Sequence, residues 1–96
     1  MDAQSVLDIL RKYMDAHRSE LGILTMGVFG SIARDEAASE SDVDVVISLK
    51  EPNLLTLSRI RIDLEERLHR HVDIVSYRER MNPFLKERIQ QDACYV

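Results

Sequence analysis

The apolar pattern of residues 42–76 constrains the fold more than any other feature of the chain. Residues 42–49 alternate at first and then become continuously apolar, which is typical of a strand near the centre of a sheet. Leucine and isoleucine then recur at helical spacing over Leu54–Leu68, and a second run of branched residues covers Val72–Ser76. Two strands joined through a helix are expected to be parallel neighbours connected by a right-handed crossover.

The other elements follow from the same reading of periodicity. Apolar residues at spacings of three and four predict a helix over about 2–18, and branched and aromatic residues predict a strand over 23–29. A short helix is expected over about 32–37, and Asn82 followed by Pro83 predicts the start of a terminal helix. The sequence therefore predicts an α/β (α+β) fold with helices packed on a small mixed sheet of about three strands.

Length and composition predict one folded domain over residues 1–96. The 96 residues leave no room for a second core, and 45% hydrophobic with 31% charged residues is an ordinary globular composition. The N-terminus lacks a basic segment followed by an apolar one, and no apolar run approaches the roughly 18 residues that span a bilayer. Together with the single cysteine, Cys94, these features predict a cytoplasmic protein without membrane association.

The net charge of −4 argues against nucleic acid as a direct ligand, since such a chain repels polyphosphate. Asp42 and Asp44 add a local concentration of negative charge, because residues two apart on a strand leave the same face. A divalent cation with a preference for oxygen, above all Mg²⁺, is the usual reason to keep two carboxylates so close. Taken alone, however, an Asp-x-Asp pair is more often part of a solvated strand face.

Gly30-Ser31 lies at the predicted junction between a strand and a helix. Such a junction points free backbone N–H groups at a phosphate, and the Ser31 hydroxyl can donate to a phosphate oxygen. The alternative is a structural cap, in which the Ser31 oxygen accepts a hydrogen bond from a backbone N–H group. Gly-Ser alone does not decide between these two interpretations.

The combination of motifs is more specific. Gly30-Ser31 is followed after ten residues by Asp42-Val43-Asp44, and Asp73 begins the strand that should lie beside them. This pattern resembles the nucleotidyltransferase superfamily that includes DNA polymerase beta. The resemblance implies that Asp42, Asp44 and Asp73 bind metal and act in catalysis, with Asp73 also the candidate base, in two-metal transfer of a nucleoside monophosphate.

A closer resemblance involves Gly30-Ser31-Ile32-Ala33-Arg34, Ser41-Asp42-Val43-Asp44 and the tail 82–89, which are similar to minimal nucleotidyltransferases, the MNT or MntA antitoxins. It implies ATP as substrate, Mg²⁺ as cofactor, and Gly30, Ser31 and Arg34 as nucleotide-binding residues. It also implies a HEPN-domain ribonuclease toxin as partner in a hetero-oligomer, silenced by AMP transfer to a tyrosine. A steric antitoxin without catalysis, and an enzyme acting on a small molecule such as an aminoglycoside, are the alternatives.

Overall fold

A computed structural model describes residues 2–34 and 42–96 of the chain. In chain order the elements are α1 (Ala3–Leu21), β1 (Ile23–Phe29), α2 (Gly30–Ala33), β2 (Val43–Leu49), α3 (Leu54–Leu68), β3 (Val72–Ser76), α4 (Pro83–Asp92) and β4 (Cys94–Tyr95).

The strands form one mixed sheet in the order β3-β2-β1-β4. β2 is parallel to β3, whereas β1 is antiparallel to both of its neighbours. The parallel pairing of β2 and β3 confirms the expectation drawn from the intervening helix. The fold prediction was correct in class but low by one strand, because β4 contains only two residues and carries no strand pattern of its own.

Two helices cover one face of the sheet and form the main core. The apolar stripe of α1 and that of α3 meet the alternate residues of β2, which point to the same side. Both helices have definite ends, since Asp2 and Asn53 cap the N-termini through their side chains and Gly22 ends α1 in the left-handed conformation. The buried set includes Val6, Leu10, Tyr13, Val43, Val45, Ile60 and Leu64.

The opposite face carries α4 over a smaller cluster of three buried residues, whereas Ile32 of α2 is buried in the main core. Ile89 of α4 packs there with Phe29 at the end of β1 and Val46 of β2. Asn82 accepts hydrogen bonds from two backbone N–H groups of the first turn of α4, and Pro83 takes the first helical position, as the sequence predicts. Among the residues that the structure describes, this face leaves part of the sheet uncovered, at the edge where β1 ends and β2 and β3 begin.

Two helix boundaries differ from the prediction. The first helix continues beyond residue 18 to Leu21, because its stop signal is Gly22 and Arg18 only lies in the last turn. The short helix begins at Gly30 and ends at Ala33, with Arg34 as its cap, so it starts two residues earlier than expected. Its predicted continuation to residue 37, and the connector before Asp42, lie outside the described residues. In the described part of the chain, no helix combines the length and the apolar character needed to cross a membrane.

Candidate active site

The strand register puts Asp44 at the centre of the uncovered sheet edge. Asp44 of β2 pairs with Phe29 of β1 on one side and with Asp73 of β3 on the other. Directly paired residues share a face, so the two carboxylates lie on the side of the sheet opposite the main core. The parallel pairing therefore brings together residues that are 29 positions apart in the chain.

Asp42 and Asp73 form a second contact through a residue that the sequence did not single out. The Nδ1 atom of His71 lies 3.4 Å from Oδ2 of Asp42 and 3.8 Å from Oδ1 of Asp73. These three exposed side chains each offer one ligand atom, and the atoms lie within 4.8 Å of one another. The site therefore presents two carboxylates and an imidazole to solvent at one point, with Asp44 beside them.

Two hydrogen bonds, one to a backbone carbonyl and one to a side chain, hold the segment that carries His71. The Val43 N–H group donates to the His71 carbonyl at 2.9 Å, and the Val72 N–H group donates to Oε2 of Glu65 at 3.0 Å. The first residues of β2 and β3 are thereby held at one height, which sets the spacing of Asp42 and Asp73. His71 precedes β3 by one residue, and only the register of the two strands reveals that it faces Asp42.

Gly30 lies against the Asp44 carboxylate. Its φ of 74° is in the left-handed region, and a Cβ atom built on it would overlap Oδ2 of Asp44 and lie 3.2 Å from the carboxyl carbon. Any other residue would therefore be strained in its backbone and would displace the Asp44 carboxylate. Ser31 is half-buried in α2, whose N-cap is Phe29 and carries no side-chain capping bond, so the capping alternative for Ser31 is not observed.

Arg34 extends from the end of α2 toward α4. Its Nη1 atom donates to Oδ2 of Asp92 at 2.6 Å, so the guanidinium that the family resemblance assigned to the nucleotide is held by a carboxylate of α4. Asp92 is largely shielded from solvent, with 16% of its side chain exposed, which strengthens this ion pair relative to a surface one. The pair joins the end of α2 to the terminal helix α4.

The electrostatics of the site disfavour the ionised form of Asp44. Burial raises the pKa of its carboxyl, and the negative charges of Asp73 and Asp42 raise it further. The positive charges of Arg88 and, to a smaller extent, Arg34 oppose that rise in the pKa. A bound cation would stabilise the ionised form of a carboxyl group whose pKa is raised in this way. The arrangement is therefore chemically suited to a divalent metal ion.

Comparison with known proteins identifies the family. Residues 7–96 match the model of the nucleotidyltransferase domain. The chain belongs to the nucleotidyltransferase domain family. Members of this family transfer nucleotidyl groups, and the crowded carboxylates beside a glycine turn are the part of this fold that is suited to such chemistry.

Relatives of nearly the same length support this assignment. The nucleotidyltransferase is 31% identical over 99 residues to the protein adenylyltransferase MntA of Thermococcus cleftensis, a match that covers 98% of this chain and 99% of that protein. It is 32% identical over 92 residues to MJ0126 of Methanocaldococcus jannaschii, provisionally named a protein adenylyltransferase, with 95% and 94% covered.

Solved structures show the same fold. A structure provisionally described as a minimal nucleotidyltransferase aligns with a TM-score of 0.77 at 35% identity, covering 98% of this chain and 95% of that one. The MNT antitoxin in complex with a tri-AMPylated HEPN toxin of Shewanella oneidensis aligns with a TM-score of 0.70, covering 97% and 70%. At 15% identity, this second similarity concerns the fold alone.

Proposed function

We propose that this nucleotidyltransferase is a cytoplasmic antitoxin that transfers AMP from ATP to a tyrosine of a HEPN-domain ribonuclease toxin and thereby silences it. The observation that carries the proposal is the gathering of Asp42, Asp44 and Asp73 beside Gly30 at one sheet edge. Support for a protein acceptor comes from relatives of equal length that are named protein adenylyltransferases. Support for the partner comes from the similar fold that accompanies a HEPN toxin in Shewanella oneidensis.

The three carboxylates are proposed to hold Mg²⁺. Carboxylate oxygens are the donors that Mg²⁺ prefers, and the mutual repulsion that raises the Asp44 pKa is relieved when a cation binds, so the donor set fits this ion. When bound, Mg²⁺ supplies positive charge that polarises the triphosphate and stabilises the departing pyrophosphate. The nitrogen of His71 beside Asp42 and Asp73 adds a further donor at the same point.

Gly30, Ser31 and Arg34 are proposed to bind the nucleotide. Gly30 permits close backbone approach, and the Ser31 hydroxyl has no capping bond at the helix start that competes with donation to a phosphate oxygen. Arg34 acts from the edge of this turn, where its ion pair with Asp92 limits its orientation. The triphosphate thus lies between the turn and the acidic cluster.

The transfer itself needs a base and an aligned hydroxyl. In this proposal Asp73 accepts the proton of the tyrosine hydroxyl, because its exposed carboxylate lies on the solvent side of the cluster where a docked protein can present that group. The tyrosine oxygen then forms a bond to the α-phosphorus, the bond from that phosphorus to the pyrophosphate oxygen breaks, and AMP remains on the toxin. A docked partner also excludes water from the reacting phosphorus.

The decisive experiment uses the purified chain, ATP, Mg²⁺ and the HEPN-domain protein encoded beside it. Intact mass spectra should show the partner gaining one or more AMP units, and the Asp42→Asn variant should give none. Inhibition of the toxin without a change in mass would support a steric antitoxin instead. Labelling of an aminoglycoside with no labelled protein would support the small-molecule alternative.

A further inference from the structure

The middle of α4 lies directly against the strand end that carries the site. Ile89 is buried with Phe29 and Val46. Phe29 immediately precedes Gly30 and pairs with Asp44, while Val46 lies two residues beyond Asp44 on the same face of β2. The turn of α4 that includes Ile89 is therefore adjacent to the acidic cluster, although no residue of α4 was among the predicted site residues.

The ion pair between Arg34 and Asp92 shows which face of α4 is turned toward α2. Asp92 faces the end of α2, because its Oδ2 atom lies 2.6 Å from Nη1 of Arg34. Arg88 precedes Asp92 by four residues, and side chains at this spacing lie on the same face of a helix, one turn apart. Arg88 therefore projects on the α4 face that is turned toward α2 and the uncovered sheet edge.

Arg88 is an exposed cation whose charge reaches the site. Among residues 2–34 and 42–96 it forms neither a hydrogen bond nor an ion pair, so its guanidinium retains its donors for another group. It is nevertheless the stronger of the two arginine charges that act on the Asp44 carboxylate, ahead of Arg34. Arg34, which the family resemblance assigned to the nucleotide, is held in an ion pair with Asp92. Arg88, which was not assigned, forms no ion pair with a carboxylate of the described residues and acts on Asp44 only through its charge.

We propose that the Arg88 guanidinium binds the triphosphate of the nucleotide, so that α4 completes the nucleotide site opposite Gly30 and Ser31. The inference rests on the proposed nucleotidyl transfer, which requires a triphosphate at this edge. The three carboxylates repel that triphosphate, and a guanidinium fork matches phosphate oxygens in geometry and in charge. Arg88 acts as a binding residue, and its loss weakens the binding of ATP before it affects the chemical step.

Lys86 of the same helix provides a matched control. It carries the same charge, but its Nζ atom contacts Glu79 at 3.3 Å and lies 5.9 Å from the centre of the Tyr77 ring. Residues two apart on a helix point in nearly opposite directions, so Lys86 does not share the Arg88 face. Neutralising Lys86 tests whether any positive charge on α4 is sufficient.

The test is calorimetric titration of Mg-ATP and of adenosine into wild type, Arg88→Gln, Arg88→Lys and Lys86→Gln. Arg88→Gln should weaken Mg-ATP binding at least about 10-fold and leave adenosine binding unchanged, because only ATP carries the triphosphate. The affinity of Arg88→Lys for Mg-ATP should lie between those of Arg88→Gln and wild type, and the affinity of Lys86→Gln should match that of wild type. Thermal melts of Arg88→Gln should show a folded protein that melts no more than slightly below wild type, because the only folded-state interaction of Arg88 that is lost among the described residues is its attraction to the Asp44 carboxylate. In transfer assays the variant should raise the KM for ATP more than it lowers kcat.

Wild-type affinity of Arg88→Gln for Mg-ATP would overturn the inference. An equal loss of affinity in Lys86→Gln would also overturn it, because any positive charge on α4 would then have the same effect. The acceptor part of the proposed function fails separately. If the wild type binds Mg-ATP but labels no protein, that acceptor is wrong and the comparison of variants still decides on Arg88. Absence of any Mg-ATP binding by the wild type would overturn both proposals.

Discussion

Asp63 and Asp44 are both partly buried carboxylates, yet their surroundings are opposite. Asp63 of α3 accepts a hydrogen bond from the Tyr13 hydroxyl at 2.6 Å and lies 3.7 Å from Nε of Arg59. Its backbone carbonyl accepts a hydrogen bond from Arg67, whose guanidinium also stacks over the Tyr13 ring at 5.0 Å. Asp44 has two like charges as its neighbours instead, and its pKa is raised by burial and by those charges.

The difference separates stability from function. A carboxylate with a donor and a cation stabilises the packing of α1 on α3 and gains nothing from a ligand. A carboxylate crowded by other carboxylates weakens the apo fold, and the repulsion between them is relieved when a cation binds. Asp63 is thus suited to a structural role and Asp44 to a functional one, although the two residues are chemically identical.

The largest expected effect is the loss of AMP transfer when the Asp44 carboxylate is neutralised. Asp44→Asn should reduce AMP transfer by more than about 100-fold, since loss of even an outer partner of a metal ligand costs roughly 10–100-fold. The same variant should melt higher than wild type in EDTA at pH 7. The sign follows from the raised pKa, because the ionised carboxylate that disfavours the folded state at this pH is removed.

Asp63→Asn is the matched control for that substitution. It should keep the wild-type transfer rate and lose about 1 kcal/mol of stability, or roughly 4–8 °C in melting temperature, because a charged acceptor becomes neutral. Transfer kinetics and thermal melts on both variants check the pair. Similar changes in activity for the two variants would remove the distinction between the carboxylates.

The second effect concerns two glycines with the same backbone conformation. Gly22 and Gly30 have φ values of 67° and 74°, so alanine should cost about 1–2 kcal/mol of backbone strain at either position. A Cβ atom on Gly22 would meet only Lys50 Cβ at 3.6 Å, an ordinary contact, whereas one on Gly30 would overlap Asp44. Gly30→Ala should therefore reduce transfer about 10-fold or more, and Gly22→Ala should lower only the melting temperature.

Melting temperatures and transfer rates of these two variants separate backbone strain from displacement of Asp44. The expected pattern is a comparable loss of stability with a selective loss of transfer in Gly30→Ala. Should Gly22→Ala lose transfer to the same degree, the effect would derive from the stability of the whole domain and the contact between Gly30 and Asp44 would have no special role.

Parts of the fold were predictable because they depend on local pattern. The parallel pairing of β2 and β3 followed from two apolar runs separated by a helical period, and the start of α4 followed from Asn82 and Pro83. β4 was missed because two residues carry no periodicity. Its pairing depends on a long-range contact in which Gly27 leaves space: a Cβ atom there would lie 2.7 Å from the Cys94 carbonyl oxygen.

The site was predictable only in so far as it depends on motifs. The sequence grouped Asp42, Asp44 and Asp73, and the strand register brings them to one edge, while their roles in catalysis stay predictions. His71 was not predicted because one histidine beside a strand has no local signal, and only the alignment of two strands makes it a neighbour of Asp42. Arg88 was missed for the same reason, since packing of α4 sets its position.

The smallest expected effect is a pH dependence of stability that comes from the hydrogen bond between Tyr13 and Asp63. Burial, and then the hydrogen bond to Asp63, raise the pKa of Tyr13 above the value of about 10 that it has in the unfolded chain. The folded state therefore keeps a proton that the unfolded state releases, so the contribution of this hydroxyl to stability is complete below pH 10 and falls as the pH rises further.

Tyr13→Phe has no such proton, and its stability deficit relative to wild type should shrink by about 0.8 kcal/mol between pH 8 and pH 10.5. Urea unfolding of both proteins at these two values measures the change. Tyr95, whose pKa is also raised by burial, is present in both proteins and cancels in the difference. A deficit that stays constant with pH would mean that the Tyr13 hydroxyl ionises equally well in the folded and unfolded states. Asp63 would then lack the firmly held hydroxyl donor that distinguishes it from Asp44.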